Sequence, residues 1–261
     1  MFNKLEYYLN KLRQEKPLIL SLTNYVTIEF VANSLLSIGA APVMSECSDE
    51  IEELLKMSSA LYINIGTLDN NFSKRAKFAC EVAKEYKIPI ILDPVGVGAS
   101  KVRRNLVAEL LPFIDIIRGN ASEIIATNGA ISESLGVESV HQVSDAYEAA
   151  RSLALELNIT VMVSGKHDFI TNGENEQRIS FGSNLMQVIT GAGCSLTAVI
   201  SAFRAINSNS YEAVVCAASY FNLAGQFAEE KASAPGSFKN ILIDNLYRPN
   251  WKRIEVLYGR K

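Results

Sequence analysis

The stretch VITGAGCSLTAVISAF, residues 188–203, sets Gly191 and Gly193 around one small residue and puts Cys194 where a helical pattern begins. Glycines there can adopt backbone angles closed to other residues. The free amides of Ala192, Gly193 and Cys194 then point outward at a helix N-terminus, where amides and helix dipole together hold a phosphate. The same small residues also suit a turn that packs a helix closely on a sheet, and the stretch alone fits both readings. A buried structural thiol needs no such address, which sets Cys194 apart. Cys47, Cys80 and Cys216 are scattered, form no CxxC pair and read as buried filler. With His141 and His167 as the only histidines, neither a zinc site nor, in a cytosolic chain, a disulfide is expected.

Two carboxylates add a second kind of chemistry. Asp93 closes the apolar run in IPIILDPVG (88–96), and Glu123 lies in NASE, at the start of a helix after IDIIRGN (114–120). Buried carboxylates are costly unless paired or metal-bound. Mg²⁺ takes one or two of them, completing its shell with water and phosphate oxygens. An anion hole, a Mg²⁺ site and a residue beside the acceptor are the parts of a phosphoryl-transfer site. Glu123 is equally consistent with an ordinary first-turn carboxylate facing the helix dipole. No GxGxxG follows the first strand and no GxxxxGK precedes a Ser or Thr, so a dinucleotide fold motif and a P-loop are both unsupported.

These residues need a frame. PLILSLT (17–23), APVMS (41–45), ALYINIGT (60–67), IPIILDPVG, IDIIRGN and ITVMVSG (159–165) are short apolar runs that read as strands. Between them, helical spacing covers 26–39, with Val26, Phe30, Asn33, Leu36 and Ile38 on its stripes and Gly39 as its stop. SDEIEELLKMSS follows with Ser48 or Asp49 as N-cap, and KRAKFACEVAKEY is the next helix. Strands alternating with helices predict parallel βα units with helices on both faces of the sheet. KHDFITNGENEQRISFG holds two strand-like pieces around TNGEN, a hairpin that predicts a small antiparallel edge. From Thr190 the chain reads as helices near 190–207, 210–230 and 237–248. No linker or repeat divides it, and the expectation is one α/β domain over 1–261. In such sheets ligands bind beyond the C-terminal strand ends. That end collects TNYVT with Asn24, VMSE with Met44, Asp93, Arg118 in RGNASE, Ser164 in VSGK, and TGAGC.

Composition narrows the partners. The 261 residues are 48% hydrophobic with net charge −3. No basic stripe suits a nucleic-acid backbone, no apolar run suits a membrane span, and MFNKLEYYLNKLRQEKP is too charged for a signal peptide. The reading is a soluble cytoplasmic protein.

Taken together and in this order, TNYVTIEFVANSLLSIGAAPVMSE, INIGTL, ILDPVGVGAS, IRGNASEI, ITGAGC and PGSFKNILIDNLY are very specific. Over essentially its whole length the chain resembles hydroxyethylthiazole kinase, a family of the ribokinase-like superfamily. The resemblance implies a mostly parallel sheet between helices, a homotrimer, and active sites between neighbouring subunits. It implies ATP-dependent, Mg²⁺-assisted phosphorylation of 4-methyl-5-(2-hydroxyethyl)thiazole, in thiamine salvage. Met44, Gly191 and Asn24 then fall to the thiazole, and Arg118, Ser164, Ala192 and Gly193 to ATP. Asp93 and Glu123 fall to the metal, with Asn120 beside them. Cys194 takes the place where most ribokinase-like kinases carry an aspartate base, with its pKa expected to be lowered by the helix N-terminus. By chemistry alone Met44 suits the core as well as a flat sulfur heterocycle. Two positions depart from the family: Ser164 where Thr is usual, and Asn172 where Asp is frequent. Related kinases act on hydroxymethylpyrimidine or pyridoxal, and the superfamily also holds an ATP-using nicotinamide-nucleotide repair dehydratase. A non-catalytic nucleotide binder is the alternative outside enzymes.

Overall fold

The computed structural model describes residues 1–134 and 146–259. His141 lies outside the described residues. Eight strands form one sheet: β1 (Leu18–Leu22), β2 (Ala41–Val43), β3 (Ala60–Asn64), β4 (Ile90–Asp93), β5 (Ile116–Asn120), β6 (Thr160–Ser164), β7 (Asp168–Thr171) and β8 (Glu176–Ile179). Their spatial order is β2-β1-β3-β4-β5-β6-β7-β8. The pairs from β2 through β6 are parallel, and β7 and β8 add the antiparallel edge around the TNGEN turn. The central strands are buried on both faces, as parallel strands between helical layers must be, which is why they read as continuous apolar runs.

Eleven helices among the described residues cover the sheet. They are α1 (Phe2–Glu15), α2 (Ile28–Ile38), α3 (Ile51–Met57), α4 (Asn70–Glu85), α5 (Lys101–Leu110), α6 (Ala121–Ser134), α7 (Ala146–Leu157), α8 (Ala192–Ile206), α9 (Ser210–Glu229), α10 (Pro235–Tyr247) and α11 (Trp251–Gly259). One apolar core joins α1, α2 and α8–α11 to Ile19, Tyr62, Ile91, Ile116 and Met162 of the strands. A second joins α3, α4, α5 and α7 to Leu20, Leu61, Ile63, Leu92 and Val161. Adjacent strand residues go to opposite cores, as the period of two requires.

Three local expectations are corrected. The buried stripe of α2 is Phe30, Val31, Ser34, Leu35 and Ile38, whereas Val26 and Leu36 are exposed. Val26 precedes the helix, and Leu36 falls on the face turned away from α8. Neither Ser48 nor Asp49 caps α3: residues 48–50 form a 3₁₀ turn, and α3 starts at Ile51 without a side-chain cap. Cys47 is exposed, not buried filler, because it sits in the loop past the short strand β2, while Cys80 and Cys216 are buried.

Candidate active site

Parallel pairing brings the chemistry to one end of the sheet. The register sets Asn64 beside Asp93 and Asn120 beside Ser164, each at the last residue of its strand. The N-terminus of α8 lies over this row. Gly191 is its N-cap at φ 92, and its carbonyl accepts the first helical bond, from Ser195 N at 2.8 Å. A side chain at Gly191 is excluded twice, by that left-handed φ and by Thr27, whose Cγ2 would stand 2.8 Å from a Cβ. Gly193 is required by close approach: a Cβ there would stand 2.5 Å from Nη1 of Arg118. The TGAGC turn therefore seats a guanidinium directly beneath the first amides of the helix.

Arg118 is fixed by its own neighbours. Its Nε donates to Ser164 Oγ at 2.6 Å, and Nη1 lies 3.8 Å from Asp93 Oδ2. Asp93 is 1% exposed, and Thr197 Oγ1 donates to its Oδ2 at 2.8 Å. Burial raises the Asp93 carboxyl to a pKa of about 6, Arg118 pulling it down and Glu123 pushing it up. Asp93 Oδ1 is buried without a hydrogen-bond partner. An orphaned anionic oxygen in the interior asks for a cation, so the donor set fits a divalent ion that takes its remaining ligands from phosphate and water. Among the described residues no three or more His, Cys, Asp or Glu side chains cluster as a metal cage.

Glu123 has a prior duty. Asn120 Oδ1 accepts from Glu123 N at 3.0 Å while Glu123 Oε2 accepts from Asn120 N at 2.8 Å, a reciprocal cap on α6. Its Oε1 accepts from Gly96 N at 3.0 Å. The first-turn role and the cation-side role are thus compatible: spare lone pairs remain on both oxygens.

Cys194, at the third position of α8, is largely buried. Its Sγ accepts from Asn24 Nδ2 at 3.5 Å, and Asn24 Nδ2 also reaches Asn64 Oδ1 at 3.0 Å. Asn64 Nδ2 donates to Tyr62 Oη at 2.9 Å, which donates to the Cys194 carbonyl at 3.1 Å. The expected thiol shift is reversed. Burial raises the Cys194 pKa and the charge of Asp93 raises it further, outweighing Thr27, Asn64 and Arg118, which lower it.

Two hollows flank this centre. The larger, of about 540 Å³, is lined by Arg118, Ser164, Ala192 and Gly193 together with Lys166, Asp168, Met186 and Asn222. Buried Asp168 shapes its floor, accepting from Gly165 N at 3.0 Å and from Asn222 Nδ2 at 2.6 Å. The smaller, of about 150 Å³, holds Met44 with Thr23, Tyr25, Thr67 and Arg75. The structure thus gathers Asn24, Asp93, Arg118, Glu123, Ser164, Ala192, Gly193 and Cys194, with Gly191 as their hinge, and sets Met44 in a separate cleft.

The model of the hydroxyethylthiazole kinase family matches residues 9–250. The chain belongs to that family. The hydroxyethylthiazole kinase of Chlamydia abortus is 42% identical over 262 residues, covering 100% of both chains. A solved hydroxyethylthiazole kinase protein from Pyrococcus horikoshii superposes with a TM-score of 0.88 at 35% identity, over 96% of each chain. A ribokinase-like superfamily protein of Enterococcus faecalis, 12% identical, shares the fold at a TM-score of 0.64 over 88% of this chain and 86% of its own. The family's mostly parallel, ribokinase-like sheet is thus the observed one.

Sequence reasoning gave no role to three side chains of this centre, Tyr62, Asn64 and Thr197, nor to nearby Arg103, which donates to the carbonyls of Ile65, Gly66 and Val95. Asn64 carried a signal, a polar residue ending a strand of apolar residues. Thr197 lies one helical turn after Gly193, on the face that meets the sheet. Tyr62 looks like any core aromatic, and Arg103 looks like a surface cation.

Proposed function

We propose that the protein transfers the γ-phosphoryl group of ATP to the hydroxyl of 4-methyl-5-(2-hydroxyethyl)thiazole, an activity that serves thiamine salvage. The observation that carries this reading is the guanidinium of Arg118 seated beneath Gly193 and beside Asp93. A cation and the first turn of α8 meet at the edge of the larger hollow, with the unpartnered Oδ1 of Asp93 buried just behind them. The nucleotide takes the larger hollow, with Arg118, Ser164, Ala192 and Gly193 along its phosphates. The thiazole alcohol takes the side of Met44, Asn24 and Gly191.

Mg²⁺, held by Asp93 with Glu123 contributing charge and an outer contact, would neutralise the phosphate oxygens. The rest is done by the chain. Arg118 and the amides of α8 receive the charge that develops on the transferring group, and Asn24 and Asn64 fix the Cys194 thiol beside the acceptor. Because transfer is largely dissociative, the hydroxyl proton leaves late. Cys194, mostly a neutral thiol at pH 7, is then a weak helper in that step and forms no phosphocysteine.

Tyr25, Val26 and Val188 are 54%, 69% and 61% exposed beside the alcohol side. We propose that a homotrimer covers them and completes the site at subunit boundaries. We propose a cytoplasmic location, as suits a metabolic kinase of this family; no helix among the described residues is long and apolar enough to cross a membrane. Residues 1–261 act as one kinase unit in this reading.

A coupled assay of ADP release with ATP, Mg²⁺ and the thiazole alcohol tests the assignment. Turnover is expected with that alcohol, at least a hundredfold above hydroxymethylpyrimidine or pyridoxal. Equal or better turnover with either competitor overturns it.

A further inference from the structure

The first turn of α5 runs Lys101-Val102-Arg103-Arg104 and contains no acid. Cations at that end oppose the helix dipole, a local conflict that calls for a compensating contact. Arg103 makes one. Its Nη1 donates to the carbonyls of Ile65 at 2.6 Å and Val95 at 2.7 Å, and its Nη2 donates to that of Gly66 at 2.9 Å. Ser100, the N-cap of α5, fixes the turn by accepting from Arg103 N at 3.3 Å. All three carbonyls lie just past the ends of β3 and β4. The Val95 carbonyl and the Gly96 amide are the two ends of one peptide group. Arg103 holds its oxygen, and Glu123 Oε1 holds its N–H at 3.0 Å. Gly96 sits at φ 67, in the left-handed region that glycine adopts freely, and Val97 N donates to the Pro94 carbonyl at 3.0 Å across the same turn.

We infer that Arg103 is a positioning residue: by clamping the Val95–Gly96 peptide it fixes the Glu123 carboxylate beside Asp93 and sets the affinity of the site for a divalent cation. The inference rests on the reading of Asp93 and Glu123 as the cation-side carboxylates. Without Arg103 the Val95 carbonyl loses its side-chain donor, the bond from Val97 N to the Pro94 carbonyl is the backbone restraint left across the turn, and the Gly96 N–H is held less firmly against Glu123 Oε1. Glu123 is then anchored mainly through Asn120 and must be ordered when the cation binds, at a cost in affinity. Lysine does not replace the arginine, because a point charge cannot span carbonyls from two loops with a planar fork.

The test needs no turnover. In metal-free, nucleotide-free protein, hydrogen exchange at the Gly96 amide should run at least tenfold faster in R103M and R103K than in wild type. With a non-hydrolysable ATP analogue saturating, the Mn²⁺ dissociation constant should rise about three- to tenfold in both. G96A, which strains the same peptide and leaves Arg103 in place, should weaken Mn²⁺ equally, and the R103M/G96A double variant should be no weaker than the worse single. Unchanged Gly96 exchange in R103K, unchanged Mn²⁺ binding, or fully additive losses would overturn the inference. If R103M does not fold cooperatively, R103K and G96A carry the test. The underlying metal reading fails separately: D93N would then bind Mn²⁺ as tightly as wild type.

Discussion

Around Asp93 the polar groups brace one another through Thr197, Arg118 and Ser164, while around Met44 the walls are partial and the exposed Tyr25 and Val26 stand at the rim. On the function proposed above this is the nucleotide side, and its charges are braced by neighbours within one chain, which is what electrostatic stabilisation of a transition state requires. The cleft around Met44 mixes apolar walls, Leu22, Ile28 and Phe72, with polar ones, Thr23, Thr67 and Arg75. A flat heterocycle can be gripped by such surface only once something closes over it. The contrast teaches that phosphate chemistry needs exact charge placement inside the fold, whereas acceptor choice can be delegated to the assembly.

The largest effect tests the braced side. Asp93→Asn should cut turnover by at least about a hundredfold, the range seen when an electrostatic group is removed from a site. Its stability should move the other way. An acid whose folded pKa, about 6, lies above its unfolded value binds more protons in the folded state. Stability is therefore lost as pH rises from about 4 to about 6, and the penalty, on the order of 2–3 kcal/mol, stays in place above that range. In metal-free buffer the Asn variant should melt above wild type at pH 8 and close to it at pH 4. A lower melting point at pH 8 would show that Arg118 pays back the whole cost of burying Asp93.

Glu123→Gln should lose well over tenfold in turnover. The amide must turn a donor toward the N–H of either Gly96 or Asn120, so the cap or the loop contact is broken. Near-wild-type activity at limiting Mg²⁺ in this variant and in Asp93→Asn would remove both from the cation side.

A smaller loss is expected at the thiol. General bases contribute about 10²–10⁴-fold, and Cys194→Ala should fall at or below the bottom of that range, while Cys194→Asp should retain activity. Full loss in the Asp variant, with folding and ATP binding intact, would make the role structural. The raised thiol pKa adds a chemical check: at pH 8 iodoacetamide should alkylate exposed Cys47 at least tenfold faster than Cys194.

The open side is tested by mixing. Met44→Asp and Gly191→Pro should each be inactive alone. Refolded together as mixed trimers they should regain partial activity, because some boundaries pair two undamaged halves. No recovery in verified mixed trimers would return the whole site to one chain.

Much of this was legible in the residues. The strands were, because burial on both faces leaves little choice but continuous apolar runs; so was the gathering of Asp93, Arg118 and Ser164, because parallel strands end on one side of the sheet. What escaped notice depended on tertiary contact. On α2 the expected Phe30 and Ile38 are buried, whereas Val26 and Leu36 are apolar yet exposed. The helix end alone suggests a lowered thiol pKa, whereas burial and Asp93, neither of them local in sequence, raise it. Arg103 left only the trace of a basic first turn, and nothing in that turn names carbonyls on two other strands.

The two cores are not assembled from the same parts of the chain. The layer over Leu20, Leu61 and Leu92 draws on helices that alternate with the strands, so each is at hand soon after its strand emerges. The layer over Ile19, Tyr62, Ile91 and Ile116 draws mainly on α8–α11, beginning at Ala192. During synthesis one face of the sheet is therefore clothed early, and the other stays bare over most of its width until the last quarter of the polypeptide leaves the ribosome. That interval exposes a broad apolar plane bearing the unfinished site, and it makes the C-terminal helices the step on which productive folding, chaperone dependence and resistance to truncation all turn.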